Sequence, residues 1–235
     1  MPLAIDTTAT KIVRNTNITS TSWSHNNAGN VLYVLTAFDS GGTATATFNG
    51  DSMTKLGSSI NTSKEATIWR LVNPDIGNYT VAISSFDEGW FAGYSISFTG
   101  GNPSNPDSGF NTATGSSTAP SVNIISYTGN IVLDIFAGGG DANAVTATAG
   151  ANQTHVLDAD DTNSWLFAGG SYENGAATTT MSWSLSASRI WAIAGVSVNK
   201  PSGNKTTWFF MRELKQTWDN IGGIYRPRNT GLVTI

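Results

Sequence analysis

The chain has 235 residues, of which 39% are hydrophobic and only 12% are charged, and it contains 25 glycines and no cysteine. This length allows one large β-rich domain or two fused halves, and the hydrophobic content excludes a disordered chain. Disulfides and thiolate metal sites are also excluded, so the fold depends on packing and hydrogen bonds. Since an average soluble domain carries about 25% charged residues, serine, threonine and asparagine must solvate this surface, as is typical of extracellular and virion β proteins.

The charge is unevenly distributed along the chain. Residues 200–235 contain six Lys or Arg and two Asp or Glu, a net charge of +4, whereas the preceding 199 residues contain six Lys or Arg and fourteen Asp or Glu, a net charge of −8. An acidic body with a basic C-terminal end predicts two different environments.

The N-terminal sequence, MPLAIDTTATKIVRN, lacks the basic start and apolar stretch of a secretory signal, so we expect none. The longest apolar run, VLYVLTAF at 31–38, is far shorter than the roughly 20 residues that a membrane helix needs. These features predict a protein that is assembled in a host cytoplasm and exposed on a released particle such as a phage virion. We expect neither a membrane nor a nucleic acid as partner.

Strand patterns dominate up to about residue 199. NVLYVLTAF (30–38) and NIVLDIFAG (130–138) are nearly continuous apolar runs, which predict central strands covered on both faces. TVAIS (80–84) and YSISF (94–98) alternate apolar with small or polar residues, which predicts half-buried strands. FNGD (48–51) has the Asn-Gly pair of a tight hairpin. Turn signals recur roughly every 10 residues, as in a sandwich or barrel.

The sequence also repeats itself, with an offset of 100 to 102 residues. Three pairs of segments show the repeat: Gly29-Asn30 and Gly129-Asn130, each before an apolar run; TVAIS (80–84) and TMSWS (180–184); and WFAGYSISF (90–98) and WAIAGVSVN (191–199). This period is too long for a solenoid, whose repeats have about 20 to 50 residues. It predicts a duplicated unit of six or seven strands.

The repeat divides a β region at 1–200 into two halves, at about 15–99 and 118–199. The halves form either two small sandwiches in tandem or one large sandwich in which they interleave. The segment 99–121, which joins them, is rich in Pro, Gly and Ser, so we expect it to be irregular.

A succession of segments over roughly residues 5–200 resembles a Gly/Ser/Thr-rich β domain of uncharacterised phage and bacterial surface proteins. The segments are NVLYVLTAF, FNGDSMTKLGS, IWRLVNPDIGNYTVAIS and GYSISFTG, followed by APSVNI, GNIVLDIFAGGG, MSWSLSAS and WAIAGVSV. Together with the strand pattern, the resemblance implies an all-β fold, an antiparallel β-sandwich of jelly-roll type. It rests on hydrophobic and turn positions, and it implies no catalytic residues.

The residues capable of catalysis form no recognisable motif. His25 and His155 have no accompanying Gly-x-Ser-x-Gly elbow, and we expect both to fill space in strands or loops. Asp134 interrupts the apolar run IVLDIF; if buried it would need partners, and with Asp39 or Asp141 it could serve glycoside hydrolysis. We expect instead that Asp134 lies on the exposed side of its strand. The sequence therefore predicts neither an enzyme nor a cofactor.

Two other residue groups suggest binding. Asp158, Asp160 and Asp161 are weak candidates for calcium ligands, but the spacing of an EF-hand is absent, so we expect a solvated acidic loop. Tryptophans can provide stacking platforms for sugars, although most large aromatic side chains of a sandwich belong to its core. The eight are Trp23, Trp69, Trp90, Trp165, Trp183, Trp191, Trp208 and Trp218. A carbohydrate-binding or adhesin module that recognises host glycans is the alternative function.

Residues 201–235 form a segment unlike the rest, rich in aromatic and basic side chains. TTWFFMRELKQTWDNIGG (206–223) permits a helix of about three turns with Phe210, Leu214, Trp218 and Ile221 on one face. An edge strand at TWFFMREL is the competing interpretation.

Left in water, this apolar segment would invite aggregation, so it either packs on its own sandwich or binds a partner. We expect a non-enzymatic structural protein of a phage particle, a head decoration or cement protein or a tail or fibre component. The segment would bind a second copy or another virion protein. Its contact residues would be Trp208, Phe209, Phe210, Met211, Arg212, Leu214, Trp218, Ile221, Tyr225, Arg226 and Arg228.

Overall fold

A computed structural model describes residues 1–13, 18–39, 42–139, 144–159 and 165–201, and the backbone of two strands at 218–221 and 224–227. These residues form antiparallel strands and no helix, which confirms the predicted all-β sandwich. The strands are β1 (Ala4–Val13), β2 (Ser20–Asn27), β3 (Val31–Phe38), β4 (Thr45–Phe48), β5 (Asp51–Ser52), β6 (Thr54–Asn61), β7 (Lys64–Val72), β8 (Gly77–Ser84), β9 (Phe91–Thr99), β10 (Asp107–Ser117), β11 (Ser121–Ile125), β12 (Ile131–Gly139), β13 (Ala147–Ala149), β14 (Thr154–Ala159), β15 (Phe167–Asn174), β16 (Thr178–Leu185), β17 (Arg189–Val198), β18 (Trp218–Ile221) and β19 (Ile224–Pro227). The described residues include no helix with the length and hydrophobicity that a membrane crossing requires.

Strands β1 to β17 build two sandwiches, one from each half of the chain. The first inner sheet has the order β1-β9-β3-β7-β6 and the second inner sheet the order β10-β17-β12-β15-β14, so the two correspond strand for strand. The first outer sheet (β2-β8-β4-β5) covers one inner sheet, and the second outer sheet (β11-β16-β13) covers the other. Of the two arrangements left open by the sequence, the structure has the one in which each half builds a sandwich of its own, without interleaving.

The two inner sheets pack face to face, which makes four layers. One face of each contributes to a shared core that includes Tyr33, Tyr94 and Phe98 from the first half and Leu133 and Val196 from the second. The opposite faces pack on the outer sheets in two further cores. Because β3 and β12 are therefore covered on both sides, all their residues are buried, as their continuous apolar runs predicted.

The shared core interlocks through pairs of large and small residues. Tyr94 lies over Gly170, where a Cβ atom would collide with the tyrosine ring. Phe110 lies over Gly57, where a Cβ atom would be 2.6 Å from Cε1 of the phenylalanine. The Tyr94 hydroxyl donates to the main-chain oxygen of Asp134 at 2.9 Å, so the buried phenol is satisfied across the interface.

The repeated Gly-Asn pair has a structural role in each half. Asn30 precedes β3, and its side chain exchanges two hydrogen bonds with the main chain of Gly101, beyond the end of β9. Asn130 precedes β12 and accepts a hydrogen bond from the Lys200 amide, beyond the end of β17. Both asparagines therefore tie the start of one central strand to the exit of its neighbour. The predicted Asn-Gly hairpin is also confirmed, since Asn49 and Gly50 join β4 to β5 with φ angles of 50° and 88°.

The structure corrects the sequence predictions for the segments 99–121, 94–98 and 206–223. The segment 99–121 is not irregular throughout, because it contains the eleven-residue strand β10. YSISF (94–98) is not half-buried, because β9 lies between two covered faces. The helix predicted over 206–223 is wrong at Trp218 and Ile221, which lie in β18; residues 202–217 are outside the described residues.

The C-terminal residues Gly203–Ile235 form a compact unit distinct from Met1–Ser202. In this unit β18 pairs with β19 in an antiparallel hairpin, with Ile221 opposite Ile224. Two glycines separate the strands in the sequence WDNIGGIYRP, and Gly-Gly between β-branched and aromatic residues favours a tight hairpin over a helix.

Candidate functional site

His25 lies inside the first sandwich, on β2, with only 1% of its surface exposed. Its Nδ1 atom is 2.8 Å from Ser95 Oγ and its Nε2 atom is 3.0 Å from Ser97 Oγ, both on β9. The Ser97 hydroxyl in turn donates to Asp6 Oδ2 at 2.8 Å, and Trp23 Nε1 donates to Ser95 Oγ at 2.9 Å. These five side chains form a continuous hydrogen-bonded network between two sheets.

The His25 network resembles a catalytic triad in residue types but not in arrangement. Two hydroxyls hold the imidazole, and the carboxylate of Asp6 reaches it only through Ser97. Burial lowers the pKa of His25 to about 4, against a smaller opposing effect of the Asp6 charge. The neutral, enclosed imidazole joins β2 to β9 through its two serine hydrogen bonds.

Asp134 lies inside the second sandwich and is fully buried, so the expectation of an exposed carboxylate on β12 is wrong. Its Oδ1 atom accepts hydrogen bonds from the Ser171 amide at 3.0 Å and the Ser171 hydroxyl at 2.6 Å, and its Oδ2 atom accepts one from Trp183 Nε1 at 2.6 Å. Gln153 extends the network, because its Nε2 atom donates to Ser171 Oγ at 2.7 Å. The buried carboxylate thus has the partners that its burial requires.

Two opposing effects act on the ionisation of Asp134. Burial raises its pKa to about 7, and the hydrogen bonds from Ser171 and Trp183 oppose that rise. Since Gln153 already donates to Ser171 Oγ, the serine proton is directed at the carboxylate, an arrangement suited to the ionised form. The site is closed to any ligand, and Asp141, one of its suggested catalytic partners, lies outside the described residues.

Asp39, the other suggested partner of Asp134, belongs to a different cluster. It follows β3 and forms an ion pair with Lys64 at the start of β7. Lys64 is 4% exposed, and Ser63 Oγ is 3.2 Å from its Nζ atom. Asp39 and Asp134 therefore belong to different clusters and do not form the pair of carboxylates that a glycosidase site requires.

The remaining candidates are scattered. His155 is exposed on β14, with its ring edge against Trp183. Asp158 also lies on β14 and not in a loop, whereas Asp160 and Asp161 are outside the described residues. The described part of the chain contains no group of three His, Asp or Glu residues that could hold a metal ion.

The five described tryptophans of the body other than Trp90 are either buried or exposed, and Trp90 is half-buried against the shared core. Trp23, Trp69, Trp183 and Trp191 are buried, as predicted for a sandwich core. Trp165 is different: it precedes β15 and is 63% exposed. Its exposed ring is a candidate for stacking on a sugar.

The predicted contact residues of the C-terminal segment lie partly in the hairpin. Trp218 and Ile221 belong to β18, and Tyr225 and Arg226 belong to β19. The others lie outside the described residues: Trp208, Phe209, Phe210, Met211, Arg212, Leu214 and Arg228. An isolated two-stranded hairpin is at best marginally stable in water, so this unit needs further contacts.

The sequence pattern marked Asp134 as a residue that would need partners if buried, but it identified no partner of Asp134 or of His25. Ser95 and Ser97 look like the polar side of an amphipathic strand, and they lie 70 and 72 positions from His25 in the sequence. For the His25 network, a histidine at an inward-facing position of β2 was the one available signal.

No family model, no curated protein and no solved structure matches this chain.

Proposed function

We propose that the protein is a non-enzymatic structural component of a phage particle that associates with further copies of itself through its C-terminal segment. The observation that carries the proposal is the separation of charge and apolar character within one chain. Residues 200–235 carry a net charge of +4 and are rich in aromatic side chains, whereas residues 1–199 carry a net charge of −8. Opposite charges of this kind favour the basic segment of one copy binding the acidic body of another.

The four-layer body supports a passive role. Its buried polar groups at His25 and Asp134 are enclosed and hydrogen-bonded, and the described residues bring no pair of carboxylates together across an open cleft. The exposed side chains of β2, β8, β11 and β16 are all uncharged. Ser, Thr and Asn make up most of these exposed side chains, with Tyr79 and Ile125 among them. The phage assignment is supported by the resemblance of residues 5–200 to phage and bacterial surface domains.

The mass in solution tests this proposal. Size-exclusion chromatography with light scattering would be run on the full chain and on a chain that ends at Pro201, a position that retains the compact body. The proposal predicts an oligomer for the full chain and a monomer for the shortened one. Equal subunit numbers for the two chains would contradict it.

A second candidate function is the binding of host glycans, and the exposure of Trp165 favours it. An exposed indole can stack on the apolar face of a sugar ring, whereas the buried tryptophans cannot. The candidate predicts that Trp165→Ala abolishes retention on a glycan array and that Tyr127→Ala, at another exposed aromatic residue, leaves retention unchanged. Binding that survives Trp165→Ala would remove this candidate.

A further inference from the structure

Lys64 and Asp39 occupy facing positions at the end of the β3–β7 ladder. The last register pair of this ladder is Phe38 with Glu65, so Asp39 and Lys64 are the next residues on the two antiparallel strands. Their side chains meet directly, with Lys64 Nζ in contact with Asp39 Oδ1. The lysine amine therefore touches the carboxylate of Asp39 with no group between them.

The pair lies where the two halves of the body meet. Lys64 alternates along β7 in phase with Ala66 and Ile68, which face the second inner sheet. Gly139, on β12, lies against the lysine side chain, and a Cβ atom there would collide with Lys64 Cε. The glycine thus leaves space for the lysine stem, and the second sandwich shields the amine from solvent.

This burial changes the chemistry of the amine. A lysine is among the residues least often buried, and burial lowers the pKa of Lys64 to about 8. Burial penalises the charged ammonium, so the share of neutral amine at neutral pH is larger than for an exposed lysine. The neutral amine is the nucleophilic form.

We propose that Lys64 and Asp39 condense into an intramolecular amide that covalently joins β7 to β3. The lone pair of Nζ attacks the Asp39 carboxyl carbon and forms the C–N bond. The C–O bond to one carboxyl oxygen then breaks, and that oxygen leaves as water with two protons that came from the original ammonium. The ion pair is converted into one amide and one water, with no oxidant or other reactant.

The fixed geometry lowers the barrier that free amines and acids face in water. Reacting groups held in position within one molecule reach effective molarities of about 10⁵ to 10⁸ M, and the shielded position of the pair limits the access of water that would reverse the condensation. The Asp39 side chain retains 20% of its exposure, so the released water can leave. Ser63 Oγ, 3.2 Å from Nζ, is placed to relay a proton during the transfer.

The cross-link would serve a chain that contains no cysteine. It would close the segment between Asp39 and Lys64 into a covalent loop and so restrict the unfolded chain, as a disulfide does. This inference concerns a different site from the C-terminal segment, and it neither requires nor supports the proposed function.

The intact mass of the purified full-length protein tests the proposal. We expect a mass lower than that of the sequence by one water molecule, with the loss abolished in Lys64→Arg and in Asp39→Ala. Lys55→Arg is the matched control, because Lys55 also forms an ion pair, with Glu65 at 3.3 Å, and should retain the loss. A wild-type mass equal to that of the sequence would overturn the proposal, whatever the variants do.

Cleavage at methionine locates the bond. Met53 lies between Asp39 and Lys64, so cyanogen bromide, which also cleaves after Met1, separates residues 2–53 from 54–181 in a chain without the cross-link. The proposal predicts that the two fragments stay joined on a denaturing gel for the wild type and separate for Lys64→Arg. If the water loss persisted in Lys64→Arg, or if the fragments separated in the wild type, the loss would belong to another site. Either result would overturn the proposed amide.

Discussion

Val34 and Asp134 hold the same place in the two inner sheets, yet one is apolar and the other is a carboxylic acid. Val34 pairs with Trp69 on the adjacent β7, whereas Asp134 pairs with Ser171 on β15. The bulky indole that fills this region in the first half is replaced in the second by a hydrogen-bonded serine and aspartate, with Trp183 on the facing sheet donating to the acid. At the same backbone position, one core is therefore filled by apolar side chains and the other by a hydrogen-bonded carboxylate.

The enclosed imidazole of His25 makes the first sandwich sensitive to acid. The pKa of His25 falls from an ordinary value of 6.5 to about 4 in the folded protein, so between these values the unfolded chain binds a proton that the folded chain does not. The contribution of neutral His25 to the unfolding free energy is therefore complete above pH 6.5 and is lost as the pH falls towards 4.

His25→Gln removes the titration and retains an amide that can bond both serines. We expect the fall in unfolding free energy between pH 6.5 and 4 to be smaller in this variant than in the wild type by about 2 kcal/mol. Urea denaturation at several pH values measures this difference. Parallel curves for the two proteins would contradict the role of His25, and His155→Gln, at an exposed histidine, is the control.

Asp134 has the opposite dependence. Its pKa rises from 3.8 to about 7 on folding, so the folded chain keeps a proton that the unfolded chain loses, and stability from this group falls as the pH rises from about 4 to 7. In Asp134→Asn, the unfolding free energy relative to wild type should increase across this range by on the order of 3 kcal/mol.

The absolute stability of Asp134→Asn is a separate matter, because the new amide would face Trp183 Nε1, another donor. The measurement is therefore the slope against pH, and not the stability at one pH. Asp51→Asn, at an exposed carboxylate on β5, is the control and should not change the slope. A slope unchanged in Asp134→Asn would show that the group does not titrate in this range.

Sequence reasoning identified Asp134 as unusual but assigned it to the wrong environment. A carboxylate in an apolar run can lie on either side of a strand. The partners that decide its environment are far away in the sequence: Ser171 is 37 positions and Trp183 is 49 positions from Asp134. Continuous runs such as 31–38 were predicted correctly because burial on both faces leaves its signature within a single strand.

At the scale of elements, the contact between the inner sheets depends on asymmetry between the halves. In the ladder, Tyr94 and Ile68 flank Leu35, and at the corresponding places Ala194 and Gly170 flank Ile135. The large Tyr94 of the first half lies over the small Gly170 of the second. The inner faces therefore complement each other in side-chain size.

Gly170→Ala tests this complementarity. The added methyl group would collide with the Tyr94 ring in a packed core, so we expect a loss of about 1–3 kcal/mol in unfolding free energy. In a Tyr94→Leu background the ring is absent, and the same substitution should cost less than about 1 kcal/mol. Equal costs in the two backgrounds, measured by urea denaturation, would contradict the contact.

The same register explains an error in the sequence repeat. Matching Trp90 with Trp191 gives an offset of 101, whereas the ladders place Phe91 and Trp191 at corresponding positions, an offset of 100. A slip of one residue moves every side chain of a strand to the opposite face. Strand β10 was missed for another reason: its small polar residues lie at a sheet edge, where Ser59 and Asn61 donate to the main-chain oxygens of Ala113 and Gly115.

At the scale of the whole molecule, the body and the C-terminal unit differ in the interactions that they need. The body encloses three apolar cores and satisfies its enclosed histidine and aspartate internally. The C-terminal unit contains a two-stranded hairpin within a segment, 201–235, of net charge +3. In the proposed function, the body is displayed and the C-terminal segment attaches the protein to a second copy.

The most direct test is whether the segment binds the body when the two are on separate molecules. Residues 201–235 would be fused to an unrelated monomeric protein and mixed with the chain that ends at Pro201, and the mixture would be followed by sedimentation velocity. The account predicts a complex of the two proteins that weakens as salt is raised, because the contact joins opposite charges. Independent sedimentation at low salt, with the full-length chain still forming oligomers, would contradict it.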